Sequence, residues 1–163
     1  MANKQTYGVL LDTSFLIRLL SVSDPLHGNA LDYYKYFLDN SIAMYVSTIS
    51  ISEYCVKGEV SELPLVSMKI IPFNFHHATK AGKIACALYK ARNNGDFPVK
   101  DRLIIPNDSN LFAQATIEND IKYFVTSDVK AADVIKKISE REPISFNHLD
   151  INIPCNSSFG KLF

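Results

Sequence analysis

The sequence has few cysteines and no pair of them at ligand spacing. Cys55, Cys86 and Cys155 are an odd number, far apart, with no C-x-x-C. That argues against a disulfide framework or a zinc site. Cys55 and Cys86 fall in helical patterns and are expected to be buried free thiols. Apolar runs long enough to cross a bilayer are also lacking. The opening stretch "MANKQTYG" has no apolar core of a signal peptide, so a cytoplasmic protein with no membrane association is expected. There is no excess of either charge: 17 basic residues stand against 17 acidic ones. Global charge therefore gives no reason to expect a nucleic-acid partner, although a local basic patch suffices to hold phosphates. H-E-x-x-H, the P-loop and G-x-G-x-x-G are all missing. So is G-x-S-x-G, which makes a Ser–His–Asp hydrolase a weak reading.

What is present suits one folded domain. Hydrophobic residues make up 47% and charged residues 21% of 163 positions. Strand-like and helix-like segments alternate. "YGVLL" reads as a buried strand and "TSFLIRLL" as a buried helix. Pro25 opens a helix to about Asp39, with Leu31, Tyr34 and Leu38 at helical spacing. "IAMYVS" is a second strand, and "TISISEYCVKG" a short helix ended by Gly58. "SMKIIPF" is a third strand. His76 to Arg92 is a long helix with Ala78, Ala81, Ile84, Ala85 and Leu88 on one side. The connection from Asn93 to Asn107 is long and rich in turn residues and charges, which marks it for a functional role. A helix from Asp108 to about Asn119, the strand "KYFVT", a helix from Val129 to Glu140 and the strand "PISF" complete the series. The alternation implies an α/β/α sandwich around a parallel sheet of about five strands. No repeat or linker divides it, so residues 1–150 form one domain. The tail 151–163 has no derivable role, and weak periodicity from Asn147 onward suggests coil.

Four acids occupy the positions that matter in such a fold. Asp12 and Asp128 each follow a strand and precede a helix, where Asp is a favoured N-cap. Asp108, just after Pro106, suits a cap equally well. Ser50 and Glu53 have the S-x-x-E spacing of a capping box. Each acid alone is a cap or a surface charge. Taken together, Asp12 and Asp128 must lie along the carboxyl edge of the parallel strands, where α/β sheets bind ligands. Glu53 shares a helix face with Ile49 and Val56, and Asp108 shares one with Leu111, Phe112 and Ala115. A carboxylate in line with an apolar stripe needs a partner. A cluster of carboxylates suits Mg²⁺ or Mn²⁺, which take hard oxygen ligands and activate water at a phosphodiester.

The stretches "LLDTSFLI", "STISISEY", "IPNDSNLFAQA" and "YFVTSD" contain these four acids in order. With them the chain resembles the PIN-domain family, metal-dependent ribonucleases that include VapC-type toxins of toxin–antitoxin pairs. The resemblance spans from near the N-terminus to about residue 130. It implies sheet order 3-2-1-4-5 and a pocket in which Asp12, Glu53, Asp108 and Asp128 hold Mg²⁺ or Mn²⁺. It also implies that Thr13 and Thr126 orient carboxylates or water. RNA is the implied substrate, cut to leave a 5′-phosphate and a 3′-hydroxyl. A small antitoxin protein and a second copy of the chain are the implied partners. The chain departs from many relatives after the last acid. Lys130 and Ala131 stand where a further acid is common, and one metal ion is the expectation. A non-catalytic PIN-like module that binds RNA or protein is the alternative.

Other signals are weaker. "DTS" resembles the nucleophile segment of haloacid-dehalogenase-like phosphatases, but Ser14 stands where those need a second Asp. His76 and His77 point about 100° apart on a helix and suit a helix start. His27 and His148 have no ligand pattern around them. Lys57, Lys80, Lys83, Lys90, Arg92, Lys100, Arg102 and Lys130 are candidate phosphate contacts. Tyr33, Tyr34, Tyr36 and Phe37 offer either core or a dimer surface.

Overall fold

Gly8–Leu11 form β1, and all four residues are buried. A strand hidden on both faces has neighbours on both sides, and β1 is the centre of a five-stranded sheet. The computed structural model describes residues 7–95 and 105–160, with only the backbone at 105–107. From β1 the chain enters α1 (Thr13–Leu20) and α2 (His27–Asp39), then β2 (Ala43–Ser47) and α3 (Thr48–Tyr54). Two single 3₁₀ turns lead to β3 (Met68–Ile71) and α4 (Phe75–Asn93). After the long connection come α5 (Ile105–Ile117), β4 (Ile121–Thr126), α6 (Ala131–Ser139), β5 (Asn147–Asp150) and α7 (Cys155–Phe159). The strands run in the order β3-β2-β1-β4-β5, and every pairing is parallel. All carboxyl ends therefore meet at one edge.

Alternation along β1 separates the two faces. Val9 and Leu11 join Phe15, Leu16, Tyr33, Phe37 and Val125 under α1, α2 and α7. Leu10 joins Ile84, Leu88, Leu111, Phe112, Phe124 and Ile138 under α4, α5 and α6. Gly8 is needed where it stands, because a Cβ there would lie 2.4 Å from the Tyr45 ring. Among the described residues no helix is long and apolar enough to cross a membrane.

Several local expectations are corrected. The fifth strand is not "PISF" but Asn147–Asp150, paired to Tyr123–Thr126. Residues 147–159 are therefore not coil: they include β5 and α7, and Ile151 and Cys155 are buried in the first core. On α2 the buried stripe is Ala30, Tyr33 and Phe37, one position away from the expected Leu31, Tyr34 and Leu38. On α4 the stripe includes His77, Ala87 and Ala91, while Ala78 is exposed. Cys55 and Cys86 are exposed and Cys155 is buried, the reverse of expectation. His77 does serve a helix start: its amide bonds Asn74 Oδ1 and its ring accepts from the Asn74 amide.

Candidate active site

Asp12 ends β1 and starts α1. Its backbone is extended, so its side chain continues the alternation of β1 and falls on the same face as Leu10. Its carboxylate is closely held. Oδ1 accepts from the Thr13 amide (2.7 Å), and Oδ2 accepts from Ser14 Oγ (2.8 Å) and Thr126 Oγ1 (2.7 Å). Ser14 Oγ and Thr126 Oγ1 approach to 3.1 Å, but each hydroxyl has one proton and both protons go to Asp12. Of the four lone pairs of the carboxylate, three are used, and the one left is on Oδ1. Burial pushes the Asp12 carboxyl up, hydrogen bonds from Thr126, Ser14 and Thr13 pull it down, and the Glu53 charge raises it further.

Glu53 arrives from α3. The expected Ser50–Glu53 capping box does not form, because the helix starts three residues earlier with Ser47 as its cap, accepting from the Ile49 amide at 3.0 Å. Ser50 is inside the helix, buried, and its hydroxyl is without a partner among the described residues. Glu53 Oε2 instead accepts from Thr13 Oγ1, a bond between α3 and the start of α1. Val56, expected on the same face, lies beyond the helix and is 77% exposed.

Asp108 is in the first turn of α5 rather than at its cap, since the helix begins at Ile105. Burial first, and then the charges of Asp12, Asp128 and Glu53 in that order, raise its carboxyl to about 7. Asp108 thus senses all three other acids. Asp128 is exposed and does not cap α6, which starts at Ala131. It closes a tight local turn, accepting from the Lys130 amide at 2.9 Å, and its own amide donates to Thr126 Oγ1 at 3.0 Å. Thr126 therefore bonds both Asp12 and Asp128.

The four acids share one edge and one field, but they are not a closed coordination shell. Among the described residues no three His, Cys, Asp or Glu side chains are grouped to hold an ion. The donor chemistry nevertheless fits a hard divalent cation. All four donors are carboxylates, and their mutual repulsion is what such an ion removes.

The candidate phosphate contacts divide. Lys80 is committed elsewhere, to Glu142 Oε1 (2.7 Å) and the Pro143 carbonyl (2.6 Å). Arg92 lies over the Tyr89 ring at 5.1 Å. Lys57 lines a groove of about 670 Å³ beside Glu53, with Ile17, Leu20, Tyr54 and Val56. Lys130 is exposed one turn from Asp128. Lys100 and Arg102 lie outside the described residues.

Two parts of the site escaped the sequence reading. Ser14 bonds Asp12 and accepts from the Ser127 amide (3.0 Å), joining α1 to the exit of β4. Its signal was the D-x-S spacing at a strand-to-helix junction. Asp150 and His148 on β5 flank the same edge. Burial lowers the His148 pKa, and Asp150 and Asp128 counter it.

Two solved structures match this fold over most of the chain. One is a chain of the crystal structure of VapBC2 from Rickettsia felis bound to a DNA fragment from their promoter. It has a TM-score of 0.56 and 18% identity, covering 87% of this chain and 98% of that one. The other is a chain of DNA-bound VapBC from Salmonella typhimurium, with a TM-score of 0.54 and 18% identity, covering 90% of this chain and 99% of that one. The chain has a VapC-like PIN fold. No protein-family model and no curated protein matches the sequence. At this identity the likeness establishes the PIN fold, whose order 3-2-1-4-5 is the order found here.

Proposed function

We propose that the protein is a Mg²⁺- or Mn²⁺-dependent endoribonuclease and the toxin of a toxin–antitoxin pair. One observation carries the nuclease reading. Asp108, half-buried in the first turn of α5, is pushed to about 7, and the charges that act on it are the carboxylates of Asp12, Asp128 and Glu53. A fold does not gather three carboxylates around a fourth for stability, since each addition disfavours the charged form. The arrangement makes sense where a cation is bound in use.

Asp12 would hold the ion through Oδ1, the oxygen with a lone pair left. Glu53, Asp108 and Asp128 would hold it directly or through water. A divalent ion bound there makes water a stronger nucleophile and neutralises charge on the phosphodiester. Thr13, Ser14 and Thr126 fix the Glu53 and Asp12 carboxylates so that they need not reorganise when charge develops on the substrate. Water attack in line with the leaving oxygen yields a 5′-phosphate and a 3′-hydroxyl. Lys57 and Lys130, exposed near Glu53 and Asp128, would meet flanking phosphates.

The test is cleavage of mixed cellular RNA with Mg²⁺ or Mn²⁺, wild type against Asp12→Asn. Cleavage by the wild type alone is expected. Equal activity in both, or none with any RNA and either metal, would overturn the reading in favour of a non-cutting RNA- or protein-binding module.

The antitoxin partner is supported by the similar structures, both of which are VapBC complexes. The groove beside Glu53 suits such a partner, with Ile17 and Val56 exposed along it. Expression should arrest growth, and the product of a neighbouring small gene should relieve the arrest. Harmless expression would sink the toxin role while leaving the nuclease intact. The same reading places the protein in the cytoplasm, as a homodimer that a sedimentation measurement would reveal.

A further inference from the structure

The segment after β5 is tied to the acid site by a continuous set of bonds. Asp150 pairs in register with Thr126, and the Ile151 amide donates to the Thr126 carbonyl at 3.1 Å. Asn152 then turns back. Its amide donates to Asp150 Oδ1 (2.8 Å), and its side-chain nitrogen donates to both Asp150 Oδ1 (2.6 Å) and the Ser127 carbonyl (2.9 Å). Those two donations use both protons of that nitrogen. Ser127 is thereby held from both sides, its amide by Ser14 and its carbonyl by Asn152. The next residue is Asp128.

The turn is itself anchored from behind. Asn29 of α2 donates to the Ile151 carbonyl at 2.9 Å. Tyr33 is fully buried, and its hydroxyl meets the Ile153 carbonyl (2.9 Å), the Asp150 carbonyl (3.4 Å) and Ser158 Oγ (2.6 Å). A phenol has one proton, shared here between the two carbonyls, so Ser158 is the donor to Tyr33. Phe159 of α7 packs on Tyr36 with ring centroids 4.3 Å apart. The segment 150–159 is thus a rigid brace between α2 and the exit of β4.

Asp128 needs such a brace more than the other acids. It is exposed, and among the described residues its side chain makes only a local bond, to the Lys130 amide. Packing does not aim it; the direction of the Ser127–Asp128 peptide does. We infer that the Asp150–Ile153 turn is a buttress for the acid site, with Asn152 as the positioning residue that sets Asp128. The inference rests on the nuclease reading for its consequence, though not for its geometry.

The experiment compares wild type, Asn152→Ala and Tyr33→Phe by amide hydrogen exchange of the metal-free protein and by Mn²⁺ titration calorimetry. In Asn152→Ala the amides of Ser127 and Asp128 should exchange about tenfold faster. Mn²⁺ should bind about five- to tenfold more weakly, as for the loss of one supporting hydrogen bond behind a ligand. The melting temperature should stay within about 2 °C, which separates positioning from general loss of fold. Tyr33→Phe, with Asn152 intact, should move both readouts in the same direction by less. Wild-type exchange at both amides in Asn152→Ala overturns the inference. Faster exchange with unaltered Mn²⁺ affinity overturns it too, because the turn would then be ordered without serving the site. If the wild type takes up no Mn²⁺, it is the nuclease reading that fails, and the exchange result alone decides whether Asn152 holds the turn.

Discussion

Asp12 and Asp108 are both half-buried members of the acid site, and loss of solvent raises both carboxyls. Their surroundings differ. Asp12, at the end of a strand, has three donors on its oxygens, all of which favour the charged form. Asp108, on a helix, owes its shift to burial and three neighbouring carboxylates, with nothing among the described residues to lower it. The strand side of the site is wired in advance by hydroxyls and amides. The helix side is placed by the packing of Leu111 and Phe112 below it, and it carries the electrostatic strain. An ion bound here would be oriented by the first side and would relieve the second.

The largest break in this comparison is Asp12→Asn. The amide keeps the shape but loses charge, and it presents protons where Ser14 and Thr126 already donate. RNA cleavage should fall on the order of 10²-fold or more. Stability should drop by about 1–3 kcal/mol, the usual cost of losing hydrogen bonds to a charged acceptor. Gel assays and thermal melts of the same preparation measure both. Activity retained within a few-fold would mean that Asp12 is only a cap.

Asp108→Asn should have the opposite sign on stability. The folded-state pKa of Asp108, about 7, lies above the unfolded value of about 3.9. The folded state then binds the extra proton. Its advantage is complete below the unfolded pKa, and is lost as pH rises through the folded one. Metal-free wild type should therefore lose stability between about pH 4 and 7 and level off above. Asn removes that slope, so the variant should melt higher at pH 8, each kcal/mol being worth roughly 2–4 °C. Cleavage should fall in the same variant. A flat difference between the two melting curves across this range would show that Asp108 is not strained.

Thr126→Val sharpens the comparison on the wired side. The substitution keeps the volume of a fully buried residue and removes the hydroxyl that donates to Asp12 and accepts from the Asp128 amide. A buried carboxylate left short of a donor costs about 1–3 kcal/mol. Cleavage should fall roughly tenfold through misplacement of Asp12, and raising Mn²⁺ should recover part of it. Equal loss at every Mn²⁺ concentration would argue that the hydroxyl acts on the substrate instead.

The strand side was also the more legible one. "LLDTSFLI" declares strand, acid and helix start within eight residues, and the structure places them so; "YFVTSD" declares strand and acid, though its helix starts later, at Ala131. Glu53 and Asp108 could be named from the motifs, but their helix registers came out differently. Helix ends depend on which hydroxyl finds an amide, and Ser47 outcompeted Ser50. β5 was hidden for another reason. As an edge strand in "NHLD" it buries only Leu149 well, so it needs no apolar run, while the apolar Ile144 and Phe146 before it pack into the core without pairing. On α2 a run of aromatics allows two phases, and contact with the distant Phe159 selects the one that buries Tyr33 and Phe37. Ser14 had only the D-x-S spacing to mark it and Asn152 had nothing, because single polar residues have no period; only the fold shows what they touch.

The smallest expected effect is that of Asp128→Asn. Asp128 is on the strand side by sequence, yet exposed like a rim residue, and Asp12 is held by three bonds where Asp128 has one local one. Water already solvates it, so its charge is worth less there than the charge of a buried carboxylate. It is also only one of three charges that raise Asp108. Mn²⁺ affinity should fall by less than in Asp12→Asn, roughly three- to tenfold, with cleavage mostly recovered at high metal. The Asp108 contribution to the pH dependence of melting should shrink slightly, since one repelling charge is gone. If Asp128→Asn instead matched Asp12→Asn in both readouts, burial would not be what ranks these acids. The site would then close around its ion with Asp128 drawn inward, a rearrangement hinged at Ser127.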